Sequence, residues 1–435
     1  MGRAPARRPD GRLPHASLPE NNTAMTIIYV DNNATTAIAP EVREAMEPFL
    51  TENYFNPSSM YEPARRTARA VAAARETVAR FVGAADPQEV LFTSCATESN
   101  NAAIFGAARA NPSRRHILTT AVEHPAVLEV CKEMGRNGYE VTFLPVDRSG
   151  NLDVGEFVRA LRPDTLLISI MHANNETGVV FPIERLSRIA KEADPAIVFH
   201  TDATQTAGKV PIRLDRELVH VDMLSFSGHK LHAPKGIGAL YVRRGTAWRP
   251  WMIGGHQEGG RRAGTENVPY IVGLARAVEL AAEHAAEEET RIRRLRDRLE
   301  AGILERVPWV EINGRGAPRL PNTLNVACHF IEGEGILYQL NEHGICASSG
   351  SACTSGSLEP SHVLRAMHVP FTAVQGSVRF SLSRYNTDRD IDRILHVFPE
   401  VVASLRRISP YWDYQKNAPR PEAEQMLASA ASQTA

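Results

Sequence analysis

The sequence predicts an α/β fold in which helices cover a mostly parallel central sheet, with a smaller α+β domain attached. Short runs rich in β-branched and aromatic residues alternate with helical patterns through the first half of the chain, as in parallel or mixed sheets. A charged segment from about 267 to 306 predicts one long helix that links two lobes. The length of 435 residues also exceeds one typical domain, which favours two lobes.

The predicted elements alternate regularly along the chain. Strands are predicted at 90–93, 116–119, 141–144, 166–170, 197–200, 221–226 and 237–242. Helices are predicted between them at 61–81, 98–110, 125–137, 154–161 and 183–192. Right-handed crossovers bring the carboxyl ends of parallel strands to one edge, where ligands bind in such sheets. The residues that follow these strands are therefore the first candidates for a functional site.

Composition argues against several function classes. The formal net charge is −1, so no basic excess points to nucleic acid. No apolar stretch approaches the ~20 residues that a membrane span requires. The five cysteines include no C-x-x-C pair, so reduced thiols in the cytoplasm are favoured over disulfides or a cysteine zinc site. The glycine-rich phosphate loops of dinucleotide- and nucleoside-triphosphate-binding proteins do not occur in the sequence.

Lys230 ends the polar turn Ser-Phe-Ser-Gly-His-Lys, which closes the strand predicted at 221–226. An isolated loop lysine is most often solvated, because its ammonium is costly to bury. A lysine next to His229, at a strand end and among small residues, is instead a candidate Schiff-base amine. That chemistry also requires a phosphate cradle, an acid for a pyridine nitrogen and a group that stacks on the ring.

Four stretches offer such groups, and each also has an ordinary structural interpretation. Residues 93–101 carry hydroxyls and amides at a helix start, which suits a phosphate but also describes a common threonine cap. Asp202 follows an apolar strand and could hold a pyridinium proton or cap the next turn. His124 could stack on a flat ring, although single histidines are more often structural. Asn175 lies in a turn sequence and could face a ring hydroxyl.

Ten short stretches carry the most specific signal in the chain. They are YVDNNATT (29–36), NPSSMY (56–61), TSCATESNN (93–101), VEHPAV (122–127), ANNETGVV (173–180), HTDATQ (200–205), SFSGHK (225–230), GGHQEGGRRAGTENV (254–268), SSGSACTSGSLEPSHVLRAM (348–367) and SVRFSLSRYNT (377–387). Together, in this order, they resemble the cysteine desulfurases of the class V aminotransferase superfamily, which are fold type I enzymes dependent on pyridoxal phosphate. The resemblance is strongest to the NifS branch, which serves nitrogenase cluster assembly.

The resemblance implies roles for the residues that match. Lys230 would carry pyridoxal 5′-phosphate as a Schiff base, and Asp202 would face its pyridine nitrogen. His124 would stack on the ring and carry protons. Arg379 would bind the substrate carboxylate, since a guanidinium fork suits that geometry, although without the resemblance it would be read as a surface strand arginine.

The resemblance also implies how the rest of the cofactor is held. Thr265 would reach the phosphate of the neighbouring subunit, which implies a homodimer. Gln205 and Asn175 would approach the ring hydroxyl, and Asn175 would also lie near the substrate. The phosphate would otherwise be held by Ala96, Thr97, Ser227 and His229.

Cys353 decides the implied reaction. It lies in the small-residue run SSGSACTSGS (348–357), where packing gives little reason for a thiol, although an idle linker cysteine would also fit. The resemblance implies that Cys353 takes sulfur from L-cysteine as a persulfide, releases L-alanine and serves as a transient iron–sulfur ligand. A scaffold protein of the NifU type would accept the sulfur. Cys346, preceded by apolar Ile345, is interpreted as structural.

The same evidence sets expected domain limits. We expect residues 41–287 to form the large cofactor-binding domain. Residues 26–40 and 288–412 are expected to form the small domain that carries the Cys353 loop. Residues 1–25 lack apolar periodicity and are expected to be a disordered extension, and residues 413–435 a flexible tail.

Three alternative functions stay open at this point. A general housekeeping desulfurase for iron–sulfur clusters would share every site residue. An aminotransferase or lyase of the same fold would use Lys230 and Asp202 but would give Cys353 no task. A non-catalytic scaffold or sulfur-carrier docking protein with a relic cofactor site would bind no cofactor, and the purified protein would then lack the visible absorbance of the bound group.

Overall fold

The computed structural model describes residues 27–349 and 360–432. Its strands are β1 (Ile28–Tyr29), β2 (Val90–Thr93), β3 (His116–Thr120), β4 (Glu140–Leu144), β5 (Thr165–Ser169), β6 (Val198–Asp202), β7 (Met223–Ser227), β8 (Gly238–Val242), β9 (Val310–Asn313), β10 (Thr323–Cys328), β11 (Ile345–Cys346), β12 (Ser377–Ser381), β13 (Trp412–Asp413) and β14 (Ala418–Pro419). Its helices are α1 (Pro40–Thr51), α2 (Glu62–Val82), α3 (Ala96–Ala110), α4 (Pro125–Arg136), α5 (Val154–Ala160), α6 (Ile183–Ala193), α7 (Val268–Glu283), α8 (Ala285–Glu287), α9 (Arg293–Arg306), α10 (Gly333–Glu342), α11 (His362–Ala366), α12 (Phe371–Val374), α13 (Asp388–Ile408) and α14 (Pro421–Ser432).

The central sheet has seven strands in the order β2-β8-β7-β6-β5-β3-β4. β8 runs antiparallel to both of its neighbours, whereas the pairs from β7 through to β4 are parallel. The predicted mostly parallel α/β fold is therefore confirmed. The strands predicted from the sequence coincide with β2 to β8, with ends shifted by a residue or two.

Successive residues of the strands pack against different helices. Ile117 and Leu167 pack in a cluster with buried residues of α3 and α4. Their neighbours Leu118 and Ile168 belong to a larger cluster that includes residues of α1, α2 and α7. Because side chains alternate along a strand, the sheet is buried on both faces, as parallel sheets generally are.

A second core forms around the antiparallel sheet β12-β10-β9 and helices α9, α10 and α13. The single long helix predicted at about 267–306 is wrong in one respect, because α7 ends at Glu283 and α9 begins at Arg293. Between them lie α8 and a π turn at Glu288–Ile292. Leu274 of α7 belongs to the larger cluster and Leu299 of α9 to the second one. The predicted helix is therefore interrupted between α7, which packs in the larger core, and α9, which packs in the second core.

We propose that these two cores belong to domains with the expected limits, 41–287 and 26–40 with 288–412. Several residues cross that division, since Ala39, Ala327 of β10 and residues of α11 and α12 such as Leu364 and Val374 pack in the larger cluster. Within residues 27–349 and 360–432, no helix is long and apolar enough to cross a membrane.

Residues 413–432 differ from the expected flexible tail. β13 pairs antiparallel with β14, and α14 follows. Ala423 of α14 is buried in a small cluster with Phe330 and Trp412. The polar, alanine-rich composition gave no sign of this contact, because both aromatic rings of the cluster lie before residue 413 in the chain.

Candidate active site

A cavity of about 380 Å³ opens where the carboxyl ends of β3, β5, β6 and β7 meet. The sequence prediction placed the site at this edge of the sheet. Of the predicted site residues, Thr265 lies elsewhere on an exposed loop, and Cys353 lies outside the described residues. The cavity is lined by the other predicted residues, which are Ala96, Thr97, His124, Asn175, Asp202, Gln205, Ser227, His229, Lys230 and Arg379.

Lys230 reaches the cavity from a 3₁₀ turn, Gly228–Lys230, that directly follows β7. Only glycine fits the start of this turn, because a Cβ on Gly228 would lie 2.9 Å from Ile237 Cγ2 and 3.0 Å from Ala233 Cβ. The Nζ of Lys230 donates to the carbonyl oxygens of Asn33 and Ala34, each at 2.6 Å. These two carbonyl oxygens hold the amine at the cavity wall.

Asp202 ends β6, and its side chain is almost fully buried. Its Oδ2 accepts a hydrogen bond of 2.7 Å from Asn100 Nδ2, and its Oδ1 accepts one of 2.9 Å from the Thr204 backbone N–H. Two N–H donors fix the plane of the carboxylate. A carboxylate held in this way can accept a further proton donor from the cavity, such as a pyridinium N–H.

His124 caps the N-terminus of α4, where its Nδ1 accepts a hydrogen bond of 3.1 Å from the Ala126 N–H. The proton of the neutral ring therefore lies on Nε2. Burial lowers the pKa of His124, and the positive charges of Lys230 and His362 lower it further, while Asp202 opposes them. The imidazole is consequently neutral near neutral pH, which suits stacking on a ring and donation from Nε2.

The N-terminus of α3 forms the polar end of the cavity. Cys95 precedes the helix without a side-chain cap, so the N–H groups of the first turn and the helix dipole are open to an anion. Ser227 and His229 line the same cavity. Burial, with nearby lysines, lowers the pKa of His229 to about 4, so its ring is neutral and can donate one N–H.

Three buried side-chain atoms beside the cavity test whether pyridoxal phosphate fits. Asn100 Oδ1, Thr204 Oγ1 and Ser227 Oγ lack a hydrogen-bond partner among the described residues. A buried polar atom without a partner costs about 1–3 kcal/mol, so a polar ligand is favoured here. An amine, a carboxylate and a helix N-terminus also complement an aldehyde, a pyridine nitrogen and a phosphate. The residues present therefore fit the cofactor.

Arg379 on β12 is 2% exposed, so it is not a surface arginine. Its Nη2 donates to Asp31 Oδ1 at 2.7 Å, and its Nη1 donates to the Asn175 carbonyl at 2.9 Å. Its Nε has no partner among the described residues. Arg379 thus keeps donor capacity on the cavity wall, which a substrate carboxylate can use.

Glu123, next to His124, is fully buried. Its Oε1 accepts hydrogen bonds from Thr120 Oγ1 at 2.7 Å and from the Met171 N–H at 2.9 Å. Burial nevertheless raises the pKa of Glu123 to about 8. The carboxyl is therefore protonated at neutral pH, and the sequence reasoning gave it no role.

We expect Glu123→Gln to remove part of the pH dependence of stability. The folded pKa of about 8 exceeds the ordinary 4.5, so the native state holds a proton that the unfolded chain releases. The free energy of unfolding therefore falls as pH rises from 4.5 towards 8 in the parent, and less so in the variant. Urea unfolding at several pH values should show the variant gaining at least about 1.4 kcal/mol relative to the parent over this window. Exposed Glu129→Gln is the matched control, and equal slopes for all three proteins would contradict the assignment.

Several contributing residues escaped the sequence reasoning. Asn33 and Ala34 hold Lys230, Asp31 holds Arg379, and Asn100 holds Asp202. Three of these lie in YVDNNATT, which we used only for its resemblance. A cluster of Asp and Asn after a short strand typically forms a turn, and in this one Asn33 also donates a hydrogen bond of 2.8 Å to Thr323 Oγ1 of β10.

Thr265 lies on an exposed loop that is tied to the polar end of the cavity. Arg262, in the same loop, donates hydrogen bonds of 2.8 and 3.1 Å to the two carboxylate oxygens of Glu98 on α3. Glu98 also accepts a 2.7 Å hydrogen bond from the Ser94 N–H. The loop is therefore anchored to the first turn of α3, and Thr265 is exposed and does not line the cavity of its own chain.

The four described cysteines are all free thiols. Burial raises the pKa of Cys131 and of Cys328 to about 12, so neither is a nucleophile near neutral pH. Cys346 is partly buried in β11, and Cys95 lines the cavity. Cys95 is therefore the described thiol that any assignment of sulfur transfer must be tested against.

Comparisons with known proteins find one family model and several cysteine desulfurases that match most of the chain. A family model described as Aminotransferase class-V matches residues 28–394. A cysteine desulfurase of Trichormus azollae is 56% identical over 387 residues, which are 89% of this chain and 96% of that protein. "Cysteine desulfurase NifS" of Azotobacter vinelandii is 53% identical over 388 residues, with the same 89% and 96% coverage. A solved structure described as a NifS-like protein aligns with a TM-score of 0.81 at 39% identity, covering 87% of this chain and 100% of that one.

Proposed function

This chain belongs to the class-V aminotransferase family, and we propose that its cavity holds pyridoxal 5′-phosphate on Lys230 and passes the sulfur of L-cysteine to Cys353. The cysteine desulfurase activity and the dependence on pyridoxal phosphate that the resemblance implied are confirmed. The observation that carries the residue assignment is geometric. Lys230, Asp202 and His124 line one cavity of about 380 Å³, with Arg379 at its wall.

Each residue has a defined task in this proposal. Pyridoxal phosphate, when bound, supplies an electron sink for the bond changes at the substrate carbon. Asp202 holds the proton of the pyridine nitrogen, and the N-terminus of α3 holds the phosphate. Lys230 Nζ takes the proton from Cα of L-cysteine, and His124 Nε2 supplies a proton to the forming methyl group.

Cys353 then receives the sulfur. Its thiolate forms a bond to the substrate sulfur while the carbon–sulfur bond breaks, and that electron pair stays with the carbon that becomes the alanine methyl group. One L-cysteine and one thiol thus give one L-alanine and one persulfide, without any external oxidant. An aminotransferase or a simple lyase would leave Cys353 without sulfur, so persulfide formation separates the alternatives.

Arg379→Lys tests the substrate end of this proposal. We expect it to raise KM for L-cysteine about tenfold to a hundredfold, because a hydrogen bond to a charged group contributes about 1.5–3 kcal/mol and a lysine lacks the fork. Steady-state alanine production measures KM, and the visible absorbance checks that the cofactor is still bound. Arg293→Lys on the exposed face of α9 is the control. An unchanged KM for Arg379→Lys would contradict the role of Arg379 in binding the substrate carboxylate.

We also propose a homodimer in which Thr265 contacts the phosphate held by the neighbouring subunit. Its exposure and the anchoring of its loop beside α3 support this arrangement. Two defective variants, Thr265→Ala and Lys230→Ala, should then complement each other in mixed dimers. One site of such a dimer keeps both residues, so we expect up to about half of the parental activity per dimer.

The mixed dimers are purified through two different affinity tags and assayed for alanine. The two unmixed variants set the background. If verified mixed dimers are no more active than that background, each site is built within one chain and Thr265 has no role across an interface.

We propose that the persulfide serves iron–sulfur cluster assembly in the cytoplasm, with a NifU-type scaffold as acceptor and nitrogenase as the final user. The similarity to the Azotobacter protein supports the nitrogenase role, and free thiols in all four described cysteines support a reducing compartment. Cys353 would act as a transient iron–sulfur ligand during transfer. Housekeeping cluster assembly is the alternative, and faster sulfur transfer to a general scaffold than to a NifU-type one would favour it.

A further inference from the structure

Lys209 is a lysine with its amine in the interior, and the reaction described above does not use it. Gly208 delivers it inward, since its φ of +78° turns the chain sharply just before Lys209. A Cβ at Gly208 would lie 3.1 Å from Ala281 Cβ, so the turn is closely packed as well. Burial lowers the pKa of Lys209 to about 7. Placing an amine here is costly, which indicates that its contacts matter.

The amine of Lys209 is hydrogen-bonded to Gln205, a residue of the cavity wall. Its Nζ lies 3.2 Å from Gln205 Oε1 and 3.2 Å from the Gln205 carbonyl oxygen. On its other side, Gln205 Nε2 donates to the Asn33 carbonyl at 3.1 Å. An ammonium can only donate a hydrogen bond, and a carbonyl oxygen can only accept one. The Lys209 ammonium therefore fixes the position of Gln205 Oε1, and the Asn33 carbonyl fixes the position of Gln205 Nε2.

The fixed orientation determines what Gln205 offers to the cavity. Gln205 is 5% exposed and lines the cavity with Asp202 and Lys230. With Oε1 bound to Lys209 and one Nε2 hydrogen bound to the Asn33 carbonyl, the amide has its second N–H left to offer a ligand. A positive charge on Oε1 also polarises the amide and strengthens those donors.

Glu288 supplies the opposite charge behind this arrangement. A small cavity of about 30 Å³, on the far side of Lys230, is lined by Lys209 and Glu288 together with His284 and Arg384. Glu288 Oε2 is buried without a hydrogen-bond partner among the described residues. Burial raises the pKa of Glu288 to about 7, and the charge of Lys209 opposes that rise. The negative charge of Glu288 and the positive charge of Lys209 therefore stabilise each other.

We propose that Lys209 is a positioning residue that holds the Gln205 amide so that it donates an N–H to the ring oxygen of the bound cofactor. This inference rests on the proposed function, in which Gln205 faces that oxygen. A donated N–H stabilises the ionised ring oxygen and so lowers the pKa of the bound chromophore. Glu288 acts one step further away, by keeping Lys209 charged.

The test is a pH titration of the visible absorbance of the bound cofactor in Lys209→Met. We expect its apparent pKa to rise by about half a unit to one unit, since each unit corresponds to about 1.4 kcal/mol of differential interaction. Lys132→Met, on the exposed face of α4, is the matched control and should titrate as the parent does. Glu288→Gln should shift the titration in the same direction by a smaller amount.

A double-mutant cycle separates positioning from a general structural effect. If Lys209 acts through Gln205, adding Lys209→Met to Gln205→Leu should produce no further shift. If Lys209→Met does not fold, Lys209→Gln, which keeps an N–H donor without the charge, replaces it and should give a reduced shift. An unchanged titration, or equal shifts in both backgrounds, overturns the inference. Borohydride trapping of the cofactor on Lys230 is measured in each variant, so failure of this inference is distinct from failure of the proposed function.

Discussion

Lys230→Ala is expected to abolish desulfurase turnover and the covalent attachment of the cofactor. An imine requires a primary amine, and the same amine is proposed to remove the Cα proton. Loss of that proton transfer alone slows a reaction by about 10²–10⁴-fold. Alanine production from L-cysteine measures the rate, and borohydride reduction followed by peptide mapping measures the covalent link.

The control for this variant is Lys132→Ala, which removes an exposed lysine from α4. It should keep both the rate and the borohydride-stable link at Lys230. Noncovalent binding of pyridoxal phosphate should survive in Lys230→Ala, because Asp202 and the N-terminus of α3 are unchanged. A borohydride-stable adduct at another lysine would refute the assignment of Lys230.

Cys353→Ser is expected to reduce alanine formation to below about one per cent of the parental rate. A thiol is a few per cent ionised at neutral pH and is intrinsically very nucleophilic, whereas an alcohol is almost wholly protonated. The substitution is nearly isosteric and leaves the cavity residues intact. L-cysteine should therefore still change the visible absorbance of the bound cofactor, while neither persulfide nor alanine accumulates.

Cys95→Ala is the matched control for Cys353→Ser, because Cys95 is the described thiol that lines the cavity. It should keep turnover, apart from losses explained by stability. Should Cys353→Ser turn over at the parental rate while Cys95→Ala does not, the sulfur acceptor would be Cys95. Should both retain turnover, sulfide would be released directly and the reaction would be that of a lyase.

The sequence predicted the placement of residues that follow strands. Asp202 is the last residue of β6 and Lys230 ends the turn that follows β7, so the alternation of strands and helices was enough to bring them to one edge. The burial of Arg379 was harder to predict, because an arginine in a strand is usually interpreted as exposed. Its burial also depends on Asp31, which is 348 residues away in the chain. Only the resemblance to a family pointed to it.

Local sequence patterns could not predict contacts between segments that are far apart in the chain. The carbonyls of Asn33 and Ala34 hold Lys230 from 197 and 196 residues away along the chain, and a backbone acceptor leaves no trace in residue type. Lys209 was not singled out from the sequence either. Its burial follows from Gly208 and from Glu288 in a π turn, and the periodicity of the segment around Glu288 predicted an unbroken helix.

Peptide mapping of the parent enzyme after a single turnover tests the central claim most directly. The enzyme is mixed with L-cysteine, quenched with a thiol-blocking reagent, digested and analysed by mass spectrometry without reduction. We predict one additional sulfur atom on the peptide that contains Cys353, and none on the peptides of Cys95, Cys131, Cys328 and Cys346. Alanine formed in the same sample without extra sulfur on Cys353 would contradict the account.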